Sequence, residues 1–430
     1  MSEDRQRRAK RLVPGRLSVN RADPELYRAI QKIWAIDHHS HALPARIPEP
    51  AEAQRPDPLG KAPFDYPVRL RVTNPEYVDA WRALYGYAYD DIKNDHACEA
   101  LKAKLALMAE MGDDYPAWVL DQAGIETQFV CMPSLGPGQT APRFLWVVQA
   151  DGLLAPFAEG GVQAMGEEIR PDGKAPDTLE GYLAGVVQRQ LERWKTAGAV
   201  AIKLGIAYWR SLDVAEVSAK EAQAIYARAV RNGEMPAAEG KALQDYLIRA
   251  VSRQAGLLGL VVNIHTGIGA DPYFNISGAN PLLLESLFND ERLRHTHFVM
   301  LHGGWPFERE AGVMLIKPNV YADFSSQTFL RSTRALSVVL EEWLSWYPEK
   351  VLFGTDAYPD DTPLANWEEK TWLTTRTARE GLALALTRMM EAREVTRARA
   401  EELARMILRE NVVQLYGLDK RWLGRSVKEG

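Results

Sequence analysis

Three features of the chain predict an α/β fold of the (β/α)8 TIM-barrel type. Eight short apolar, β-branched runs recur along it, longer stretches with helical periodicity separate them, and several runs end in histidine, lysine or aspartate. Runs apolar on both faces fit strands of a buried parallel sheet, and strands alternating with helices read as βα units. Eight in series close a barrel, whose active site lies at the carboxyl ends of the strands. An open doubly wound sheet is the structural alternative, but no glycine-rich nucleotide fingerprint follows the first run.

The expected strands are 33–37 (IWAID), 127–132 (TQFVCM), 144–148 (FLWVV), 200–204 (VAIKL), 260–264 (LVVNI), 298–301 (FVML), 320–324 (VYADF) and 351–353 (VLF). Between the first two lie about 90 residues, where a βαβ unit needs about 30. This stretch begins proline-rich (ALPARIPEPAEAQRPDPLGKAPFDYP) and continues with helical patterns over 75–89 and 95–111. We read 42–120 as an insertion over the barrel mouth. Residues 382–416 read as a helical C-terminus that stops at Gly417. Residues 25–430 are expected to form one barrel domain, preceded by a flexible basic tail, 1–24, that contacts a neighbouring subunit or is simply disordered.

Composition narrows the class. With 46% hydrophobic and 25% charged residues the chain can bury a large core, so wholesale disorder is excluded. A net charge of −5 argues against a nucleic-acid partner. No run of about 18 apolar residues appears, so no membrane partner is expected. The charged opening MSEDRQRRAKRLVPG is unlike a signal peptide. Cys98 and Cys131 are too few for a disulfide framework and read as free thiols, which favours the cytoplasm. A small-molecule substrate is expected, and a homo-oligomer is compatible with the chain.

The chemistry-bearing residues sit at strand ends. The first strand ends in Asp37-His38-His39-Ser40-His41. Residues two apart on a strand face the same side, so His39 and His41 are expected to point into the barrel mouth and His38 away from it. Lys203 lies in VAIKLG, His265 closes LVVNIH, His302 closes FVMLH before Gly303-Gly304, and Asp356 follows VLFGT. Asp323 on the seventh strand is a further polar candidate without an obvious ligand role. Each has a bland reading: a loop-bound histidine, a paired lysine, a cap aspartate. Together, at the same end of successive strands, they bury too much polarity unless something joins them, and a divalent metal does. His295 and His297, which enter the sixth strand, and His96, in the insertion, read as structural. Arg210 and Arg309 are candidate clamps for a substrate carboxylate, with surface ion pairs as the alternative. Tyr208, Trp209, Trp305 and Tyr358 are candidate pocket walls, or packing between barrel and helices.

This set, HxH on strand one, Lys on four, His on five and six and Asp on eight, resembles the amidohydrolase superfamily. VAIKLGIAYWRSL, HTGIGAD, LHGGWPFEREAG, NVYADFS and VLFGTDAYPDD are similar to the hydrolase domain of FluG-type and nodulin-type proteins. The resemblance implies that His39, His41 and Asp356 hold one ion, that His265 and His302 hold a second, and that Lys203 bridges them as a carbamate. If Lys203 is not carboxylated, one ion remains on His39, His41, His265 and Asp356, and His302 is freed for proton transfer. Zinc is the expected metal, with manganese or iron as alternatives. The implied reaction is attack of a metal-activated water on the carbonyl of a carboxylic amide (a γ-glutamyl amide among them), ester or lactone, with Asp356 carrying the proton and His302 as the second catalytic candidate. A decarboxylase or sugar-acid isomerase on the same scaffold, and a catalytically silent metal-binding scaffold, are the competing readings. In fused relatives a glutamine synthetase domain follows; this chain ends where it would begin, so no such activity is expected.

Overall fold

The computed structural model of the protein describes residues 21–42, 59, 66–157, 175–233, 235–271 and 273–418. Eight parallel strands follow one another in sheet order as in sequence: β1 Ala35–Ser40, β2 Ile125–Cys131, β3 Phe144–Gln149, β4 Ala199–Leu204, β5 Val261–His265, β6 Phe298–Leu301, β7 Val320–Asp323 and β8 Val351–Leu352. Every expected strand is present, with ends displaced by a few residues. β8 is short, and the seam to β1 is closed by backbone hydrogen bonds that run past its end: His38 N–H to Phe353 O (3.0 Å), Asp356 N–H to His39 O (2.7 Å) and His41 N–H to Ala357 O (2.7 Å). The barrel is therefore all but closed, as the eight-fold pattern requires.

Alternation along the strands divides the apolar residues into two layers. Ile36, Phe129, Leu145, Val147, Ala201, Val261, Val299, Leu301 and Leu352 fill the barrel interior. Their neighbours, among them Ala35, Val148, Ile202, Leu204, Val262, Ile264 and Met300, pack outward against the helices. The amino end of the barrel is plugged by the helix Asn411–Tyr416, whose Val412 and Leu415 join the inner cluster. Asn411 Nδ2 fastens this helix to the carbonyls of Pro348 and Val351 at the start of β8 (2.8 and 2.9 Å). Gly417 ends it at φ +60°, a left-handed C-cap that glycine adopts without a side-chain clash. The expected single helical stretch over 382–416 is instead interrupted. Trp367–Glu391 ends in a turn where Arg393 has φ +63°, and Thr396 caps a new helix, Arg397–Arg405.

The insertion contains Glu76–Tyr85, Asn94–Met111 and Tyr115–Ala123. The first stops at Gly86 (φ +71°), short of the expected end at 89. These helices dock on the chain that leaves β8. Trp81, fully buried, donates from Nε1 to Leu364 O (2.7 Å). Lys104 reaches Glu368 (3.1 Å) and Glu369 (3.0 Å), both carboxylates being fully buried on the first turn of Trp367–Glu391. One amine facing two buried carboxylates leaves the group short of positive charge, and burial pushes the Glu368 carboxyl above its usual value. Of the expected flexible tail 1–24, residues 1–20 lie outside the described residues, as does all but residue 59 of the proline-rich stretch 43–65, whereas Asp23 caps the helix Pro24–Gln31 by accepting from the N–H groups of Glu25 and Leu26.

Removing one member of a buried ion pair leaves an uncompensated charge, which costs about 3–5 kcal/mol. Lys104→Met should therefore lower unfolding stability by about that amount, measured by denaturant titration of the metal-free protein. A loss under about 1 kcal/mol would mean that the insertion contributes little to the fold.

Candidate metal centre

At the carboxyl end of the barrel six side chains converge. His39 Nε2 lies 3.3 Å and His41 Nε2 3.7 Å from Asp356 Oδ1. Lys203 Nζ lies 3.3 Å from His39 Nε2 and 3.0 Å from His41 Nε2. His302 Nε2 faces His265 Nδ1 at 3.1 Å, and His302 Nδ1 lies 3.7 Å from Asp356 Oδ2. Ligand atoms on one tetrahedral zinc ion, with bonds of about 2.1 Å, are about 3.4 Å apart. The separations here are of that size. Nitrogen and oxygen atoms of His39, His302 and Asp356 all fall within 4.8 Å of one another.

The backbone places these groups at a conformational cost. His302 (φ +65°) and Asp356 (φ +55°) are both left-handed, a region costing non-glycine residues about 1 kcal/mol or more. Each is held by a short bond donated from its backbone N–H, His302 to Asp323 Oδ1 (2.7 Å) and Asp356 to the His39 carbonyl (2.7 Å). The seam between β1 and the end of β8 thus fixes Asp356 beside His39 and His41. Gly303 follows at φ +53°, and a Cβ there would lie 2.2 Å from the Trp343 ring, so the turn admits only glycine.

His38 requires a correction. It does not turn out of the barrel but lies inside it, one layer below the cluster, with Nδ1 3.1 Å from Asp323 Oδ2 and Nε2 2.6 Å from the Tyr416 hydroxyl. Strict alternation from Ile36 puts His38 inward. The pairing of β1 with β2 loses register between Asp37 and Ser40, which lets His39 also reach the mouth. Asp37 braces this irregular stretch: it accepts from Thr355 N–H (2.8 Å), Thr355 Oγ (2.6 Å) and Gln128 Nε2 (2.8 Å), and burial pushes its carboxyl up to about 7.

Burial keeps the imidazoles neutral. It lowers His41 to about 4 and His265 to about 3, and takes His39 and His302 well below the usual range, with Lys203 adding to the effect on each. Neutral rings retain the lone pair that a metal takes. Burial opposes the charge on Asp356, but His302, His41, Lys203 and the Ser326 hydroxyl together hold its carboxyl below the ordinary aspartate value. His39 Nδ1 and His265 Nε2 are buried with no hydrogen-bond partner among the described residues. The donor set that faces inward, neutral imidazole nitrogens and a carboxylate, suits a divalent cation.

Among the candidate pocket residues, Tyr208 is at the cluster, its ring 4.5 Å from that of His265, with Phe274 beside both. Tyr358 stacks under Lys370 Nζ (3.5 Å) and against Phe329, and Trp305 lies against Arg331. Trp209 donates from Nε1 to the buried Asp151 (3.1 Å). The two arginines are engaged elsewhere. Arg210 is committed to Asp245 Oδ1 (2.6 Å) and to the carbonyls of Ser211 and Asp213. The Arg309 side chain is 81% exposed and 3.6 Å from Glu342. Both take the ion-pair alternative, because a carboxylate lies within reach on an adjacent helix. His96 pairs with Asp91, His297 lies against Tyr321, and His295 is exposed; none joins the cluster. Sequence reasoning did not find Ser325 and Ser326, whose hydroxyls lie 2.8 and 2.9 Å from His302 Nδ1, nor the part that Asp323 plays beneath them. The polar run Asp323-Phe324-Ser325-Ser326 at a strand end was the available signal.

Comparison with known proteins bears on the family and the fold. The model of the family described as Amidohydrolase matches residues 174–418. Protein fluG of Emericella nidulans is 28% identical over 243 residues, covering 54% of this chain. The match spans only 27% of that protein's length. Among solved structures, a protein assigned as a metal-dependent hydrolase from Lactobacillus casei superposes with a TM-score of 0.66 at 19% identity, over 91% of this chain and 97% of its own. Uronate isomerase of Thermotoga maritima (TM-score 0.62, 14% identity, 94% and 100% coverage) and glucuronate isomerase of Caulobacter crescentus (0.62, 16%, 97% and 100%) share the fold.

The different surroundings of the two arginines predict different phenotypes. Arg210→Ala leaves Asp245 buried with Lys241 alone and should lower stability by about 3 kcal/mol. Arg309→Ala removes an exposed pair and should leave the melting temperature unchanged. Thermal unfolding of the two variants checks this, and equal losses would contradict the placement.

Proposed function

The chain belongs to the amidohydrolase family, and on that premise we propose that it is a metal-dependent hydrolase acting on a carboxylic amide, ester or lactone, with γ-glutamyl amides the first class to test. The observation that carries the metal reading is the environment of Lys203. The residue is 2% exposed, and its amine touches two imidazoles and has no carboxylate within ion-pair distance among the described residues. A buried ammonium so placed is costly. Carboxylation resolves this: the amine nitrogen bonds to the carbon of carbon dioxide and releases a proton, giving an anion with two oxygens to share. In this reading His39, His41 and Asp356 would hold one ion, His265 and His302 would hold a second, and a Lys203 carbamate would supply the anion between them. Zinc suits the nitrogen-rich donor set, and manganese or iron would also fit.

A divalent metal held there supplies Lewis acidity, lowering the pKa of water to about 7 and polarising a carbonyl oxygen. The chain's own residues do the rest. Asp356, ionised and held by Ser326 at Oδ2 so that Oδ1 faces His39 and His41, accepts a proton on its carboxylate and returns it to the leaving nitrogen or oxygen. Tyr208 and Phe274 wall the His265 side of the site and exclude water there. Residues 25–430 act as one barrel domain with 42–120 as its insertion, and the protein works in the cytoplasm on a small molecule. The likeness to two sugar-acid isomerases supports the fold alone, so uronates belong in the assay as the competing class.

A panel of γ-glutamyl amides, simple amides, lactones and uronates, read beside metal content per chain, tests the proposal. Hydrolysis that follows metal loading supports it; isomerisation of a uronate with no hydrolysis overturns it. Asp356→Asn should keep much of its metal, since the histidines remain, and lose about 10²–10⁴-fold in kcat with little change in KM. Near wild-type kcat at full metal content would remove Asp356 from proton transfer. Lys203→Ala should lose metal, and short carboxylic acids should partly restore it where neutral additives of the same size do not. A variant that keeps its full metal complement without additives would exclude the bridge.

A further inference from the structure

Beneath the six convergent side chains lies a column of buried polar groups that the catalytic proposal does not use. Asp323, fully buried at the end of β7, accepts three hydrogen bonds on Oδ1: from His302 N–H (2.7 Å), Ser325 N–H (3.1 Å) and Ser325 Oγ (2.8 Å). Its Oδ2 faces His38 Nδ1 at 3.1 Å. The Tyr416 hydroxyl, on the helix that plugs the amino end, bridges His38 Nε2 (2.6 Å) and Asn263 Oδ1 (3.2 Å). The column therefore runs from the barrel's amino end to His302.

Counting protons along it fixes the state of the His302 ring. A hydroxyl has one proton to donate. The Ser325 proton goes to Asp323 Oδ1, and the Ser326 proton goes to Asp356 Oδ2 (2.5 Å). Both hydroxyl oxygens also face His302 Nδ1, at 2.8 and 2.9 Å. With both hydroxyl protons committed, His302 Nδ1 is the donor to these oxygens. Its Nε2 then carries only a lone pair, aimed at the His265 side of the site, where His265 Nδ1 stands 3.1 Å away.

We propose that Asp323 is a positioning residue: through Ser325 and the His302 backbone N–H it locks His302 in the Nδ1–H tautomer with the Nε2 lone pair turned into the site, while His38 and Tyr416 brace Asp323 from below. That this lone pair serves a metal rests on the proposed function; the tautomer itself does not. The same bond from Asp323 to His302 N–H also holds the left-handed backbone at His302, so one carboxylate sets both the place of the ring and its donor atom. Partners of this kind are worth about 10–100-fold in metal affinity.

Two readouts test it. In metal-free protein labelled with ¹⁵N-histidine, and with His302 assigned from the His302→Gln spectrum, His302 should show a protonated Nδ1 and an unprotonated Nε2. Asp323→Ala should give averaged nitrogen shifts and about a 10–100-fold weaker zinc affinity by chelator competition. Asp323→Asn keeps an Oδ1 acceptor and should restore most of both, a rescue that a purely structural role does not predict. If Asp323→Ala fails to fold, Ser325→Ala, which removes one hydroxyl, should weaken zinc binding by about threefold or more with its melting temperature unchanged. A wild-type His302 protonated at Nε2, or unchanged shifts and zinc affinity in both Asp323→Ala and Ser325→Ala, overturns the proposal. Wild-type protein that binds no zinc yet shows the Nδ1–H tautomer, lost in Asp323→Ala, would instead overturn the metal reading and leave the positioning role standing.

Discussion

Four imidazoles, an amine and a carboxylate share one buried pocket at the end of the barrel, and the electrostatic cost of bringing them together is the constraint on which the rest of the structure depends. Burial alone drives every ring neutral and would drive the carboxylate neutral too. Against burial, the Lys203 amine and the Ser326 hydroxyl, with the polar rings around it, keep the carboxylate ionised. Such a group of side chains is stable only if its members are held rigidly or joined by a cation, and the molecule shows investment in the first. Two ligand candidates, His302 and Asp356, occupy strained backbone conformations, each pinned by a hydrogen bond to its N–H.

The seam of the barrel does double duty. β8 is only two residues long, so closure falls to the chain beyond it, which hydrogen-bonds to β1 from His38 to His41. A barrel closed by longer regular strands would carry its polar residues on alternating positions. Here the lost register in β1 turns His39 toward the mouth while His38 stays inside as support. The irregularity has its own fastening in Asp37 and Thr355. The insertion helices clamp the same segment a few residues later, through Trp81 and Lys104. Fold closure and site assembly are thus one event at this edge of the sheet.

Much of this was legible in the sequence because its physics is local. Parallel strands buried on both faces read as apolar runs, and all eight were found. A histidine or aspartate immediately after such a run can hardly avoid the barrel mouth, so His39, His41, His265, His302, Asp356 and, within its strand, Lys203 were recognisable as neighbours. What stayed hidden depends on contacts between distant segments. Alternation counted back from His39 and His41 gave His38 the wrong direction, because the register break between Asp37 and Ser40 leaves no mark in composition. For Arg210 and Arg309 the choice between substrate clamp and ion pair stayed open because their partners, Asp245 and Glu342, lie on distant helices. Asp323 appeared to lack a role because its partners, His38, His302 and Tyr416, come from three separate parts of the chain. The substrate is less legible still, since the loops that select it vary freely on a common barrel.

Whether a cation joins these six side chains can be read from anomalous scattering by zinc-equilibrated crystals. A zinc peak is expected beside His39 Nε2, His41 Nε2 and Asp356 Oδ1, a second beside His265 Nδ1 and His302 Nε2, and forked density beyond Lys203 Nζ between them. Maps with no anomalous peak at the barrel mouth, and density for Lys203 ending at its amine, would contradict it.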